Sequence, residues 1–582
     1  MTPVTPQQPR DSIVISRIPE WKLTPSKSGV TGVKIEAMKI WVKRAPKLAC
    51  ALAACSALLA LNACGSGADG GSAASAIQSF AAAIDQQDAG AAAKFTTAPG
   101  QAGAALQQTL EGMHAEKVDM SVVNPVEYSD GTASFSLKTT WHWAEDREFE
   151  TTSSGTARHL STGWKITWEP SVIYPNMPTG GSLREIRTDA TPAPKVLSTS
   201  GKTFMYQQPV NEIVLDPART TNLTASVRAL ARTLAPIAPL ITADVISKQL
   251  TANPGKPITA VILRDPDMTV LESDPGKVPG VSVHKSSMLL MKDRRLSSPL
   301  EDGLTNYWQA ILDATAGWQV QLVGPGLKPR KLAGEQGPPG PNVNTTIDQN
   351  LQLTLGDAAV EVGQPATILA LDASSGAILG MARNSYAVDR GINVDGVYRV
   401  GSSLDPVLSA IDKAATDGQA RGDLIDRLGL GVQFTVAGAS TPTDGQPGVA
   451  TVDFRSGDVN ASMMNMGALG VALARSSKGQ LSSVAPYVVK GVPTTVSDGD
   501  LGQLPAGLVQ PILKAMSVTA ATGDASDLTG APGLRALVGT NGPQGPGWFV
   551  GVQGGKVIVI YCEGERSGTA ALQVAQKYFR IK

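Results

Sequence analysis

The sequence predicts a multidomain α+β protein, and three observations predict it. Ser75 to Phe95 and Gly100 to Gly112 have helical periodicity, after which the apolar period changes to two. Beyond Asn344, strand pairs alternate with apolar helices. Between these regions lies a mixed segment that ends in the Gly/Pro-rich stretch Gly334 to Pro341, a natural boundary. A chain of 582 residues has room for about three such domains.

The first elements read as targeting rather than fold. Lys39, Lys43, Arg44 and Lys47 form a basic region ahead of the apolar run Leu48 to Leu61, which is short for a membrane span. Leu61-Asn62-Ala63-Cys64 follows, then Gly65-Ser66-Gly67. This order resembles a bacterial lipobox, with 38–63 as signal peptide and Cys64 as the lipidated mature N-terminus. The alternative is a signal peptide with an incidental cysteine, or an anchor helix. Residues 1–37 precede a complete signal and read as a mis-called translation start; 64–74 reads as a linker. The expected location is the extracytoplasmic face of a bacterial membrane, held by lipid.

In the next region, Ile77, Phe80, Ala81 and Ile84 fall on one helical face. Phe135, Leu137, Thr139, Trp141 and Trp143 then alternate, as do Trp164, Ile166 and Trp168. Helices followed by a twisted antiparallel sheet predict a small cone-shaped domain over 75–180. Trp141 and Trp143 read either as core or as the lining of a ligand pocket.

The middle segment, 181–340, carries strands at Val210 to Leu215 and Thr259 to Leu263, and helices at Ser226 to Ile241 and Thr242 to Thr251. The last region, 341–582, opens with a helix near Asn350 and a hairpin of Ala366 to Asp372 with Ile378 to Ala382 around Gly376. A helix opens at Ser402, and a second apolar helix spans Ser462 to Ala474. Trp548 to Val552 and Lys556 to Tyr561 form a terminal hairpin, followed by a helix from Thr569.

Composition removes several function classes. The first 63 residues carry nine Lys/Arg and three Asp/Glu, so the remainder holds 41 basic against 47 acidic residues. This mildly acidic chain has no basic stripe for nucleic acid. The histidines are His114, His142, His159 and His284, so a Ser-His-Asp triad built wholly in the C-terminal region is excluded. Neither a metal site nor a cofactor is indicated. Cys50 and Cys55 leave with the signal and Cys64 is modified, which leaves Cys562 as a buried strand thiol and excludes a disulfide framework.

The chemically telling stretch is Val400-Gly401-Ser402-Ser403-Leu404-Asp405-Pro406. Ser402 follows an approach strand and sits where a nucleophile would. A serine hydroxyl needs a base, and one helical turn on is where it belongs. Asp405 occupies that position. A plainer reading makes Ser402 a helix N-cap and Asp405 a first-turn acid favoured by the helix dipole.

Several segments together carry a family resemblance. Thr345-Thr346-Ile347-Asp348 with Leu351-Gln352, then Leu369-Ala370-Leu371-Asp372 with Gly376, resembles the opening of the penicillin-binding transpeptidase (β-lactamase-like) domain. Ser462 to Met466 with Pro486 to Lys490, and Gly547 to Gly551, resemble its later helix and strands. Trp164 to Trp168 with Tyr174-Pro175 is similar to the end of the NTF2-like domain in the methicillin-resistance type of penicillin-binding protein, and the middle segment to a non-catalytic pedestal or dimerisation domain. The resemblance is to class B penicillin-binding lipoproteins. It implies serine-type D,D-transpeptidase chemistry with three motifs. In Ser-x-x-Lys, Ser402 matches and Asp405 replaces lysine. Ser-x-Asn is absent from the chain. On the Lys-Thr-Gly strand, Leu537, Gly539 and Thr540 stand at matching positions, with Leu537 in place of lysine. One Ser-x-x-Lys does occur, from Ser282 to Lys285, in the middle segment on an expected strand; it reads as a chance match.

Three readings follow. The chain is a non-catalytic pseudo-transpeptidase, scaffolding or regulating peptidoglycan synthesis with cell-wall synthesis and division proteins as partners. Alternatively it is an active transpeptidase that binds penicillin through Ser402, with Asp405 as base and Arg399 a better substitute cation than Lys413. Or it is a wall-ligand binding module. Weak contact with stem peptides or β-lactams and a membrane anchor fit the first reading; nucleic acid fits none.

Overall fold

The structure is a computed structural model and describes residues 23–24, 34–35, 71–144, 147–440, 459–540 and 547–581. The expected signal peptide, Cys64 and most of the expected linker lie outside the described residues. No helix among the described residues is long and apolar enough to cross a membrane. The chain divides into two compact units, one of Ala37–Pro192 with Thr315–Pro339, the other including Ala193–Ala314 and Gly340–Lys582.

The first unit begins earlier than the linker expectation. Helix α1 (Ala73–Asp85) starts inside it, with the Ser72 side chain accepting from the Ser75 amide. The expected single helix to Phe95 is broken. Gln87 takes a left-handed φ of 56°, and Asp88 caps a separate helix α2 (Ala89–Ala93) by accepting from the Ala91 amide. Pro99 opens α3 (Pro99–Met113). Strands β1 (Lys117–Glu127), β2 (Thr132–His142), β3 (Glu148–Leu160) and β4 (Gly163–Ile166) form an antiparallel sheet in that order.

The sheet obeys the period of two. Ala133, Phe135, Leu137 and Trp141 are buried with Ile77, Phe80 and Ile84 of α1. Trp141 and Trp143 are therefore core, and the Trp143 indole donates to the Met113 carbonyl at 2.8 Å. A further strand, β5 (Ser182–Thr188), pairs with Gly317–Val323, which pairs with Arg330–Glu335. These pairings correct the expected 181–340 domain. Both ends of that segment belong to the first unit, because their backbone hydrogen bonds go to each other.

The remainder, Ala193–Ala314, belongs to the second unit. Its long strand β6 (Thr203–Leu215) comes before helices α4 (Leu223–Leu234) and α5 (Ala243–Ala252). Strands β7 (Ile258–Arg264) and β8 (Val281–Met291) both pair with β6. Helix α4 stops well short of Ile241, since Pro236 and Pro239 disfavour helix before them. Ile213 and Leu215 pack with Leu230 of α4 and Ile246 of α5.

Helix α6 (Gln349–Ala359) is capped by Asp348 and leads to β9 (Ala366–Asp372) and β10 (Ile378–Arg383). The short strand β11 (Val397–Arg399), helices α7 (Asp405–Ala414) and α8 (Gly418–Arg427), and strand β12 (Asn460–Ser462) follow. Then come α9 (Met463–Ser476) and α10 (Ala506–Ala521). Strands β13 (Arg535–Thr540), β14 (Gly547–Gln553) and β15 (Lys556–Cys562) and helix α11 (Ser567–Ile581) complete the unit. The five-stranded antiparallel sheet runs β10-β9-β15-β14-β13.

This sheet is buried on both faces, which explains its near-continuous apolar strands. Ile368, Phe549 and Ile560 share one core with Leu355 of α6 and Val574 of α11. Leu369, Trp548 and Val559 share another with Leu469 of α9. Cys562 lies in the first of these cores, fully buried, and burial pushes its thiol pKa up. Such a thiol is inert.

The turn between β9 and β10 depends on Asp372. Its carboxylate accepts from the amides of Ser374 and Ser375 (3.0 and 2.9 Å) and from their hydroxyls (2.6 and 2.8 Å). Gly376, with φ of 75°, completes the reversal. Burial opposes ionisation, but the hydrogen bonds outweigh it and hold Asp372 at about 2, below its usual 3.8. A depressed carboxylate pKa stabilises the fold above the unfolded value and loses that contribution as pH falls toward the folded one. Asp372→Asn should cost about 1 kcal/mol at neutral pH. In urea denaturation this gap should narrow as pH drops below about 4. A pH-independent gap would contradict the assignment.

Candidate functional site

The Ser402 turn is built by two strands and closed by a third. β11 pairs antiparallel with β12, Val397 opposite Ser462 and Arg399 opposite Asn460. The Val400 amide extends the pairing to the Val459 carbonyl at 2.9 Å. The chain then folds into a single 3-10 turn, Gly401–Leu404, before α7 begins at Asp405. Gly401 sits at φ 56°, a left-handed position that glycine adopts without strain.

Within the turn, Ser402 is half-buried and Ser403 is buried. The Ser403 hydroxyl donates back to the Val400 carbonyl at 2.7 Å. The plainer expectation for Ser402 needs correction. The N-cap of α7 is Leu404, with no side-chain cap hydrogen bond, so Ser402 does not serve as the cap. Asp405 is exposed in the first turn of α7, where the helix dipole favours a carboxylate.

Strand β13 closes the site from the other side. A side-chain carbon at Gly539 would stand 2.9 Å from Ser403 Cβ and 3.2 Å from its amide nitrogen. The strand thus abuts the turn, and glycine permits it. Leu537, two residues earlier on the same face, is buried in the core shared with Leu404 and Val407. Thr540 ends the strand with its backbone opposite Gly547. The structure therefore brings together the Ser402 turn and β13, with Asp405 at the helix start.

Other sequence candidates fall elsewhere. Arg399 is exposed on β11, and its carbonyl accepts from the Trp548 indole at 2.8 Å. Lys413 lies in the last turn of α7, about 12 Å along the helix from its start. Helix α7 passes to α8 through Ala415, Thr416 and Asp417 alone, so no intervening segment carries a Ser-x-Asn. The match from Ser282 to Lys285 lies in β8. In a strand, positions three apart point to opposite faces, so Lys285 cannot act on Ser282. The Ser282 hydroxyl instead pairs with His284 Nε2 at 2.8 Å.

Two supports of the turn escaped sequence reasoning. An aromatic group clamps β11 to the sheet: Tyr398 stacks on Tyr561 at 4.5 Å, and Trp548 lies 4.6 Å from Tyr561. Burial raises the phenol pKa of both tyrosines, and Glu563 adds to it for Tyr561. The second support is Asn465 on α9. Its carboxamide oxygen accepts from the Ser462 amide and hydroxyl, while its nitrogen donates to the carbonyls of Gly429 and Val432, both at 2.8 Å. Spacing three residues from a helix-starting serine was the available signal for Asn465. The clamp had none, because it joins residues distant in sequence.

Residues 72–180 match the profile of the NTF2-like N-terminal transpeptidase domain. No curated protein matches the chain. Helices α1–α3 and strands β1–β4 thus form an NTF2-like domain, and the match suggests a penicillin-binding-protein-like cell-wall function.

Gly539→Val should force the strand and the Ser402 turn apart and lower stability by about 1–3 kcal/mol. Thermal denaturation of the two proteins checks this, and an unchanged midpoint would contradict the close approach.

Proposed function

We propose that this chain is a lipid-anchored cell-wall protein of the class B penicillin-binding kind, whose C-terminal transpeptidase-type domain is non-catalytic. It acts as a scaffold or regulator of peptidoglycan synthesis, with cell-wall synthesis and division proteins as partners. The carrying observation is the pair of residues, one following the Ser402 turn and one on β13, at the positions where the family places lysines. One is Asp405, an exposed acid at a helix start; the other is Leu537, buried in the core.

The chemistry supports this reading. In the family, the first lysine takes the serine proton and the strand lysine meets the substrate carboxylate. Loss of a positioned general base alone costs about a hundredfold to ten-thousandfold. Asp405 adds a charge that repels a β-lactam or stem-peptide carboxylate. The resemblance implies backbone oxyanion donors at the turn and the neighbouring strand, but such donors without acid-base help give very slow acylation. The NTF2-like match, the antiparallel sheet buried on both faces and the order of segments in 341–582 support a degenerate transpeptidase domain there. The lipobox-like sequence ending in Cys64 supports an extracytoplasmic, lipid-anchored location.

Incubation of the purified protein with a fluorescent penicillin, read by gel and intact mass, tests the proposal beside Ser402→Ala. The expected result is no adduct in either protein, both folded by circular dichroism. A stable adduct lost in Ser402→Ala would establish an active acyl-enzyme site instead.

A further inference from the structure

The sheet around β6 has two edges of different kinds. Strands β7 and β8 flank β6, and each presents an outer edge. Edge strands are normally kept from further pairing by brevity, bulges, proline or charge. Strand β7 is 7 residues long, and its register shifts between Thr259 and Val261. Strand β8 runs for 11 residues in one unbroken register and contains no proline. Hydrogen bonds at both ends set the phase of its ladder. The Asp216 amide donates to the Gly280 carbonyl and the Lys292 amide to the Phe204 carbonyl, each at 2.8 Å. Bonded pairs recur at every second residue, so His284 and Ser286 turn their amides and carbonyls to β6. Val283, Lys285 and Ser287 turn theirs outward, and no strand pairs with that edge among the described residues.

The side chains of β8 divide between two faces. Ser282, His284 and Ser286 share the face away from α4 and α5. They are hydrogen-bonded there, Ser282 with His284 and Ser286 to the Glu212 carboxylate at 2.6 Å. Val281 and Val283, on the other face, are only half-buried where they meet the core of α4 and α5. Lys285 follows on that face; it is exposed and has no ion-pair partner among the described residues. A strand laid beside β8 covers the open sides of Val281 and Val283 if it brings apolar residues at alternate positions. An acidic residue in it meets Lys285. A second copy of β8 paired about Lys285 instead sets two lysines side by side, which destabilises a strand pair.

We propose that the outer edge of β8 is a docking site for an extended segment of a protein partner. The segment adds a strand to the sheet, alternates apolar with polar residues and presents an acidic side chain to Lys285. Outward amides and carbonyls of Val283, Lys285 and Ser287 supply the main-chain bonds that hold it, and the half-covered valines and Lys285 supply the selectivity. The proposal rests on this edge alone and stands whether or not Ser402 is catalytic.

The test is fluorescence anisotropy of a short labelled peptide, alternating valine with threonine around one central glutamate, titrated with the purified protein. A twin peptide with lysine in place of the glutamate is titrated in parallel. Saturable binding of the glutamate peptide is expected, about tenfold tighter than that of its twin. Ser287→Pro removes an outward amide but none of the bonds to β6, and should weaken binding roughly tenfold or more. Lys285→Glu should reverse the preference between the two peptides, a readout that a merely misfolded variant would not give. Ser402→Ala should change neither affinity. Absence of saturable binding by the folded protein overturns the proposal, as does unchanged affinity in Ser287→Pro or an unchanged preference in Lys285→Glu. A dimer of the protein in light scattering that Ser287→Pro dissolves would give the edge to a second copy and overturn it too.

Discussion

Trp548 makes the contact on which the Ser402 turn depends. It stands opposite Gly539 in the sheet, packs against Tyr561, and donates its indole hydrogen to the Arg399 carbonyl. A pairing of three residues, Val397–Arg399 with Asn460–Ser462, would otherwise leave β11 a weak ribbon, since short isolated strand pairs are marginal in water. Burying an aromatic residue of this size stabilises by several kcal/mol, and its loss typically costs about 3–5 kcal/mol. The sheet thus sets where the approach strand ends and where the turn begins. Gly539 then lets β13 lie against Ser403 without a side chain between them.

The same arrangement explains what the site lacks. A transpeptidase needs the scaffold and also titratable groups placed on it. Here the scaffold is kept by packing: an aromatic clamp, a buried carboxamide on α9, and a two-faced apolar sheet. On the proposed reading, the positions that would carry proton transfer and carboxylate binding are filled by residues that suit the fold instead. Asp405 complements the helix dipole, and Leu537 fills the core around Leu404. Packing and catalysis are separable because the first depends on many apolar contacts and the second on two or three side chains.

Much of this was legible in sequence. The alternation of β2, the buried run of β9 and the terminal hairpin follow from apolar periodicity alone. The Ser402 turn, with Asp405 one helical turn on, was visible as a local pattern. What remained hidden depends on pairings distant in the chain. Ser182–Thr188 and Gly317–Val323 look like parts of one middle domain until their hydrogen bonds join them. The break between α1 and α2 rests on the backbone of Gln87, which apolar periodicity does not report. The Ser282 to Lys285 match lost its meaning once a strand put the two side chains on opposite faces.

The most direct measurement of the central claim is turnover of an activated acyl-D-alanyl thioester by the purified protein between neutral and alkaline pH, with Ser402→Ala measured in parallel. A non-catalytic Ser402 turn predicts identical, background rates for the two proteins across the range. A burst followed by steady turnover, lost in Ser402→Ala and rising with pH, would show that another group supplies the missing base and would contradict the account.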